Sequence, residues 1–167
     1  MRSPERNSAV PSPSLQLARA LALAVPALLL VGAYVSEYGF GLYPCEMCWW
    51  QRWPHFGALG FAVLAYVIAP FRLWTVFAGL AILTSGAIGG FHAGVEYGWW
   101  QGITSCARIV SSDAGTSALD AIMNTPMISC NEAQWRLMGI SLAGFNFLFS
   151  VAAGLAVVTL AMRRNSR

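Results

Sequence analysis

The stretch LARALALAVPALLLVGAY, Leu17 to Tyr34, is almost wholly Ala, Leu and Val, broken only by Arg19, Pro26 and Gly32 before its closing Tyr34. A helix that crosses a bilayer needs about 20 mostly apolar residues, and this run meets that length with its flanks. Three more runs follow: Trp49 to Ile68, Leu73 to Tyr97, and Leu137 to Met162. Ala69-Pro70 ends the second, and Phe71-Arg72 leaves only a tight turn before the third. These runs predict an all-α membrane protein, a four-transmembrane-helix bundle over residues 17–162 with two polar loops on one side. Residues 1–16, rich in Ser, Pro and Arg, read as a flexible tail, and residues 163–167 as a basic end. The first run has a second reading, a cleaved signal peptide with VGA before Tyr34 as its cleavage site. Signal h-regions run only about 7–15 residues, so a retained span is expected.

Composition agrees. The chain has 167 residues, 57% hydrophobic and 10% charged, where a soluble domain carries about 25% charged residues. That depletion excludes an ordinary soluble domain. There is no lysine, and the formal charge of +3 is modest and uneven, which gives nucleic-acid binding no support.

Arginine placement sets the orientation. The tail, the Phe71-Arg72 turn and the C-terminus share one side, with Arg2, Arg6, Arg19, Arg72, Arg163, Arg164 and Arg167 against Glu5 alone. The other side holds Arg52, Arg108 and Arg136 against six acidic residues. Arginine excess marks the cytoplasmic side, so both termini are expected there and both loops outside. Six of the seven tryptophans, Trp49, Trp50, Trp53, Trp99, Trp100 and Trp135, fall near that outer face, as an interfacial belt would. In the second loop Leu119, Ile122 and Met123 recur at i, i+3 and i+4. Two readings stand there, a short amphipathic surface helix or an ordinary loop turn. Gly86, Gly90, Gly94 and Gly98 place a smooth stripe on the third span, a packing feature for close helix approach.

The chemistry-bearing residues are four cysteines in two pairs. Cys45 and Cys48 sit in YPCEMCWWQRWPH, Tyr43 to His55, within the first loop. Cys106 and Cys130 belong to the second loop, with 23 residues between them. Pro44 suits the first position of a helix, so the second span is expected to start at the cysteines. On such a helix Cys45, Cys48, Arg52 and His55 fall within an arc of about 80°. A helix N-terminus and a nearby cation both lower a cysteine pKa, and Arg52 is placed to stabilise an anionic acceptor beside Cys48. Thiol–disulfide exchange is the expected chemistry. Inert structural disulfides and a metal site are the rivals, and zinc is disfavoured because the second pair lacks ribbon spacing.

Other polar residues are read more plainly. Arg52 has the alternative of snorkelling to headgroups, and its place one turn after Cys48 favours the functional role. His55 is expected at the interface. His92 and Glu96 stand at i, i+4 near the outer end of the third span, where ionisable residues are functional candidates; His92 is weighed as a cofactor contact, and Glu96 as a residue at headgroup level. Asn146 is expected to be a hydrogen bonder between helices.

These residues together resemble the disulfide bond formation protein B (DsbB) family of bacterial inner-membrane thiol oxidases. The resemblance rests on Pro44-Cys45-x-x-Cys48 followed by Gln51-Arg52, on FHAGVEYGWWQG (Phe91 to Gly102), on Cys106 and Cys130, and on CNEAQWRLMG after them. It covers about residues 18 to 162. What it implies is a relay in the inner membrane with periplasmic loops. Cys106 would form a mixed disulfide with a soluble DsbA-like thioredoxin-fold oxidant, and Cys130 would pair transiently with Cys45. Electrons would reach the Cys45–Cys48 pair, and Cys48 would pass them to the membrane quinone pool, ubiquinone or menaquinone. Arg52 matches the family arginine that supports the quinone, and His92 matches a quinone contact more loosely. Rival readings are a paralogue serving a dedicated partner, a scaffold whose disulfides only staple its loops, and a metal or haem protein using His55 and His92.

Overall fold

The structure, a computed structural model, describes residues 11–104, 108–109 and 127–163. Its frame is four long helices: α1 Pro13–Phe40, α2 Glu46–Val67, α3 Phe71–Glu96 and α4 Leu142–Met162. Helix α3 is central, packing along α4 and α2, while α1 leans on α4 and α2. Among the described residues three helices, α1, α3 and α4, are long and apolar enough to cross a membrane, as in a multi-pass membrane protein.

Local chemistry explains most helix ends. Ser12 caps α1 by accepting from the Leu15 amide at 3.3 Å, with Pro13 in the first turn. The helix therefore begins four residues before Leu17, so the last residues assigned to the tail are helical. It runs through Pro26 without a break and stops at Gly41, whose φ of 68° is the left-handed conformation that closes a helix. Cys45 caps α2, so Pro44 lies just before the cap and not at the first helical position.

The described residues also hold two antiparallel pairs of two-residue strands, which an all-α expectation omitted. β1 Arg108–Ile109 pairs with β2 Met127–Ile128, and β3 Arg136–Leu137 pairs with β4 Ile140–Ser141. The β3–β4 turn is Met138-Gly139, both with positive φ, as a two-residue hairpin requires. The Tyr97 hydroxyl pins it, donating to the Gly139 carbonyl at 2.9 Å and accepting from the Ser141 amide at 3.2 Å. The hairpin displaces the start of the last helix from the expected Leu137 to Leu142. Ser141 then caps that helix by accepting from the Gly144 amide. The candidate surface helix at Leu119, Ile122 and Met123 lies outside the described residues, as do residues 1–10.

The interior is built from small residues, with Ala18, Ala22, Ala58, Ala62, Ala65, Ala78 and Ala161 fully buried or nearly so. Large apolar side chains such as Leu28, Val31, Val63, Phe149 and Leu155 point outward. That inversion suits lipid, where helices gain nothing by hiding leucine and associate through close backbone approach. Gly79 and Gly154 face one another: a Cβ on Gly79 would stand 3.4 Å from the Gly154 carbonyl, and one on Gly154 would stand 3.1 Å from that of Gly79. In the Gly86 stripe, Gly86 and Gly90 meet Ser150, Val151 and Phe147 of α4, Gly94 lies under the Trp100 indole, and Gly98 ends the helix with a φ of 72°.

Candidate redox site

Cys45 closes the N-terminus of α2 with its sulfur, which accepts from the Cys48 amide at 3.2 Å. The spacing dictates this, since an N-cap side chain reaches the amide of the third residue on. The two Sγ atoms lie 2.8 Å apart. Against them sits Cys130, 1% exposed, in a small buried cluster with Cys45, Met47, Val95 and Ile128. Two contacts dock this segment. Gln134 donates to the Tyr43 carbonyl at 2.7 Å, and the β1–β2 ladder ties the chain just after Cys106 to the chain just before Cys130. Cys106 itself lies outside the described residues.

Ligand atoms of Cys45, His92 and Cys130 all lie within 4.8 Å of one another. Three soft ligands are therefore close enough to share a metal ion, and equally close enough for two sulfurs to exchange partners. Cys45 lies before Glu46, the first residue of α2. Cys130 pulls the Cys45 thiol downward, but Cys48 and burial overcome it and hold Cys45 well above the ordinary thiol range.

Arg52 stands one turn below Cys48, as its spacing requires, but its partners were not legible in the sequence. Its guanidinium donates to Glu37 of α1 at 2.6 Å and reaches the Ala33 carbonyl at 3.4 Å. The Tyr34 and Trp49 rings flank it at 4.7 and 4.8 Å. Arg52 is buried and Glu37 partly so, which turns the guanidinium into the bundle and not out toward headgroups. His55, expected at the interface, is 3% exposed and belongs to the interior. It contacts the Asn146 Oδ1 at 3.0 Å and the Ser85 hydroxyl at 2.9 Å. Asn146 does bond between helices, reaching Gln51 on α2 and Ser85 on α3. His92 lies 3.6 Å from the Cys45 sulfur and 3.8 Å from Glu96. Glu96 is itself held by the Ser141 hydroxyl, and its side chain is 7% exposed.

A cavity of about 280 Å³ opens beside these groups, with Cys45, Cys48, Arg52, His55 and His92 in its wall. Leu28 and Leu29 of α1 and Phe149 of α4 continue that wall, and Leu28 and Phe149 are exposed on the helix exterior. The cavity thus connects the cysteines with the lipid-facing surface between α1 and α4.

Comparison with known proteins places this arrangement. The family model described as disulfide bond formation protein DsbB matches residues 16–161. A protein named disulfide bond formation protein B from Azoarcus sp. (strain BH72) is 34% identical over 149 residues, covering 83% of this chain and 87% of its own. One of the same name from Polaromonas sp. (strain JS666) is 32% identical over 154 residues, covering 86% and 88%. An uncharacterized protein, RP370, from Rickettsia prowazekii is 26% identical over 133 residues, covering 77% of each chain. No solved structure matches the chain significantly. With the family model spanning nearly the whole sequence and two paired-cysteine segments meeting at one helix end, this chain belongs to the DsbB family of disulfide bond formation proteins.

Proposed function

We propose that the protein re-oxidises a soluble DsbA-like dithiol on the periplasmic side of the bacterial inner membrane and passes the electrons to membrane quinone. The observation that carries this reading is the burial of Cys130 against Cys45, with Cys48 at the mouth of a cavity that reaches the lipid face. Exchange proceeds by thiolate attack through mixed disulfides, and it needs sulfurs that can meet. Cys130 lies close enough to attack or leave at Cys45, and in this reading Cys106 exchanges with the partner. Cys48 lines the cavity.

The residues around that cavity suit a quinone. Leu28, Leu29 and Phe149 offer an apolar lateral path for an isoprenoid tail. Arg52 lines the cavity with donors that a quinone carbonyl oxygen would accept, and the His92 ring lines the same wall. A bound quinone would supply a two-electron acceptor more oxidising than the partner dithiol. Arg52 balances negative charge developing beside Cys48, and Glu37 holds the guanidinium in place for that task.

The reading includes a fourth crossing by α2. At 22 residues and 1.5 Å per residue it spans about 33 Å, enough for a hydrocarbon core of about 30 Å. Its first residue, Glu46, is exposed at the outer end, its other polar residues Gln51, Arg52 and His55 are buried in the bundle, and the rest of its exposed face is Trp50, Trp53, Phe56, Gly57, Gly60, Val63, Tyr66 and Val67. Beyond Glu46, lipid would meet only apolar or interfacial side chains. Four crossings put both termini on the cytoplasmic side and both cysteine pairs outside, in agreement with the arginine distribution.

The test is quinone reduction by the purified protein on addition of a reduced thioredoxin-fold dithiol. Arg52→Ala should raise the quinone concentration needed for half-maximal turnover by roughly tenfold or more, the worth of one hydrogen bond to a charged group. An unchanged quinone dependence would remove Arg52 from the site. Bound zinc in the as-isolated protein, found by elemental analysis, would favour the Cys45–His92–Cys130 metal reading instead.

A further inference from the structure

Gln51 and Asn146 form a hydrogen-bond chain whose proton positions are fixed by groups that cannot donate. The Gln51 side-chain atom facing the Met47 backbone carbonyl at 3.1 Å must be its nitrogen, since a carbonyl only accepts. On α4, one Asn146 side-chain atom faces the Ser85 backbone carbonyl at 3.2 Å and must likewise be nitrogen. That nitrogen donates to the Gln51 Oε1 at 2.9 Å. Both amide orientations are thus set twice over, by a main-chain acceptor and by each other.

The consequence falls on His92. The Gln51 amino group lies 2.9 Å from the His92 Nδ1. A donor at that distance requires a lone pair, so Nδ1 carries no hydrogen and the ring proton of neutral His92 is on Nε2. That nitrogen faces the Cys45 sulfur at 3.6 Å and Glu96 at 3.8 Å. We propose that Gln51 is a positioning residue that locks His92 as the Nε2–H tautomer, so that the imidazole offers Cys45 a hydrogen-bond donor and not a base.

The lock matters when Cys45 leaves. A thiolate, Cys106 in the relay, attacks Cys130 of a Cys45–Cys130 disulfide. The new bond joins the attacker to Cys130, the Cys45–Cys130 bond breaks, and its electron pair goes to the Cys45 sulfur. A better stabilised leaving thiolate leaves faster, and a donor aimed at that sulfur strengthens as the charge appears. This use of the lock rests on the relay proposed above, whereas the tautomer itself does not.

The chain has only two histidines, so nitrogen-15 NMR of the imidazoles in micelles resolves both, with His55→Gln assigning them. Neutral His92 should show a bare Nδ1 and a protonated Nε2. Gln51→Glu, which keeps the shape but sets an acceptor against Nδ1, should bring a proton to Nδ1. It should also slow resolution of a Cys45–Cys130 disulfide by added thiol, by roughly tenfold. A protonated Nδ1 in the unaltered protein, or a Gln51→Glu spectrum identical to it, overturns the proposal. Should Gln51→Glu fail to fold, the spectrum of the unaltered protein still decides. Absence of quinone reduction with the expected spectrum would sink the relay and leave the lock standing.

Discussion

Changing Cys48 to serine is expected to reduce partner-driven quinone reduction to the uncatalysed background. Serine keeps the size of the side chain but cannot form a disulfide, so Cys45 loses its partner at 2.8 Å and the sulfur lining the cavity disappears. Because an oxidised pair can no longer be rebuilt at the start of α2, at most one exchange is left. Cys106→Ser should abolish turnover too, for a different reason, since the partner would then have no entry thiol. The two variants separate by what accumulates. Cys48→Ser should still form a mixed disulfide with the partner, visible on a non-reducing gel, whereas Cys106→Ser should form none. A scaffold with stapling disulfides would show no turnover before substitution and no mixed disulfide after it. Undiminished turnover in either variant would contradict the order of electron flow.

The second large effect is structural. Gly89 sits where α2, α3 and α4 meet, and a Cβ there would stand 3.0 Å from the Ala143 carbonyl, 3.0 Å from the Asn146 amide nitrogen and 3.1 Å from the Gln51 Oε1. The first of these is backbone and cannot swing aside. Gly89→Val should therefore drive α4 from α3 and separate Gln51 from Asn146, at a cost of about 1–3 kcal/mol or more. Gly57 on the outer face of α2 is the control, because a Cβ added there meets nothing within 4 Å. Gly57→Ala should be neutral or stabilising by up to about 1 kcal/mol, through helix propensity. Thermal unfolding in detergent checks both. A Gly89→Val midpoint equal to that of the unaltered protein would show that the helices are less closely packed than described.

These effects trace what the sequence disclosed and what it withheld. The helix runs were legible because lipid imposes a length and an apolar content on each segment separately, and Pro70 marks an end through its own backbone preference, whereas the ends at Gly41 and Gly98 were not read from the sequence. The Cys-x-x-Cys pair and Arg52 were legible because one helix places them on one face. The β3–β4 hairpin was hidden, since Leu137, Met138 and Ile140 read as the start of a span and only Gly139 hints at a turn. The meeting of Glu37 with Arg52, and the chain from His92 through Gln51 to Asn146, join residues far apart in sequence. Nothing in local periodicity reports such contacts. His55 was misplaced at the interface for the same reason, because its buried partners lie on α3 and α4. Asn146 gave one usable signal, a lone amide in an apolar helix, which in lipid calls for a partner across the bundle.

Mapping of disulfides by peptide mass spectrometry tests the junction between the two sulfur pairs most directly. With Cys48 and Cys106 both changed to serine, mild oxidation with diamide should join Cys45 to Cys130 within one molecule, in high yield and without loss of fold. Both thiols remaining open to alkylation under those conditions, or labelling from opposite faces of sealed vesicles, would contradict the account.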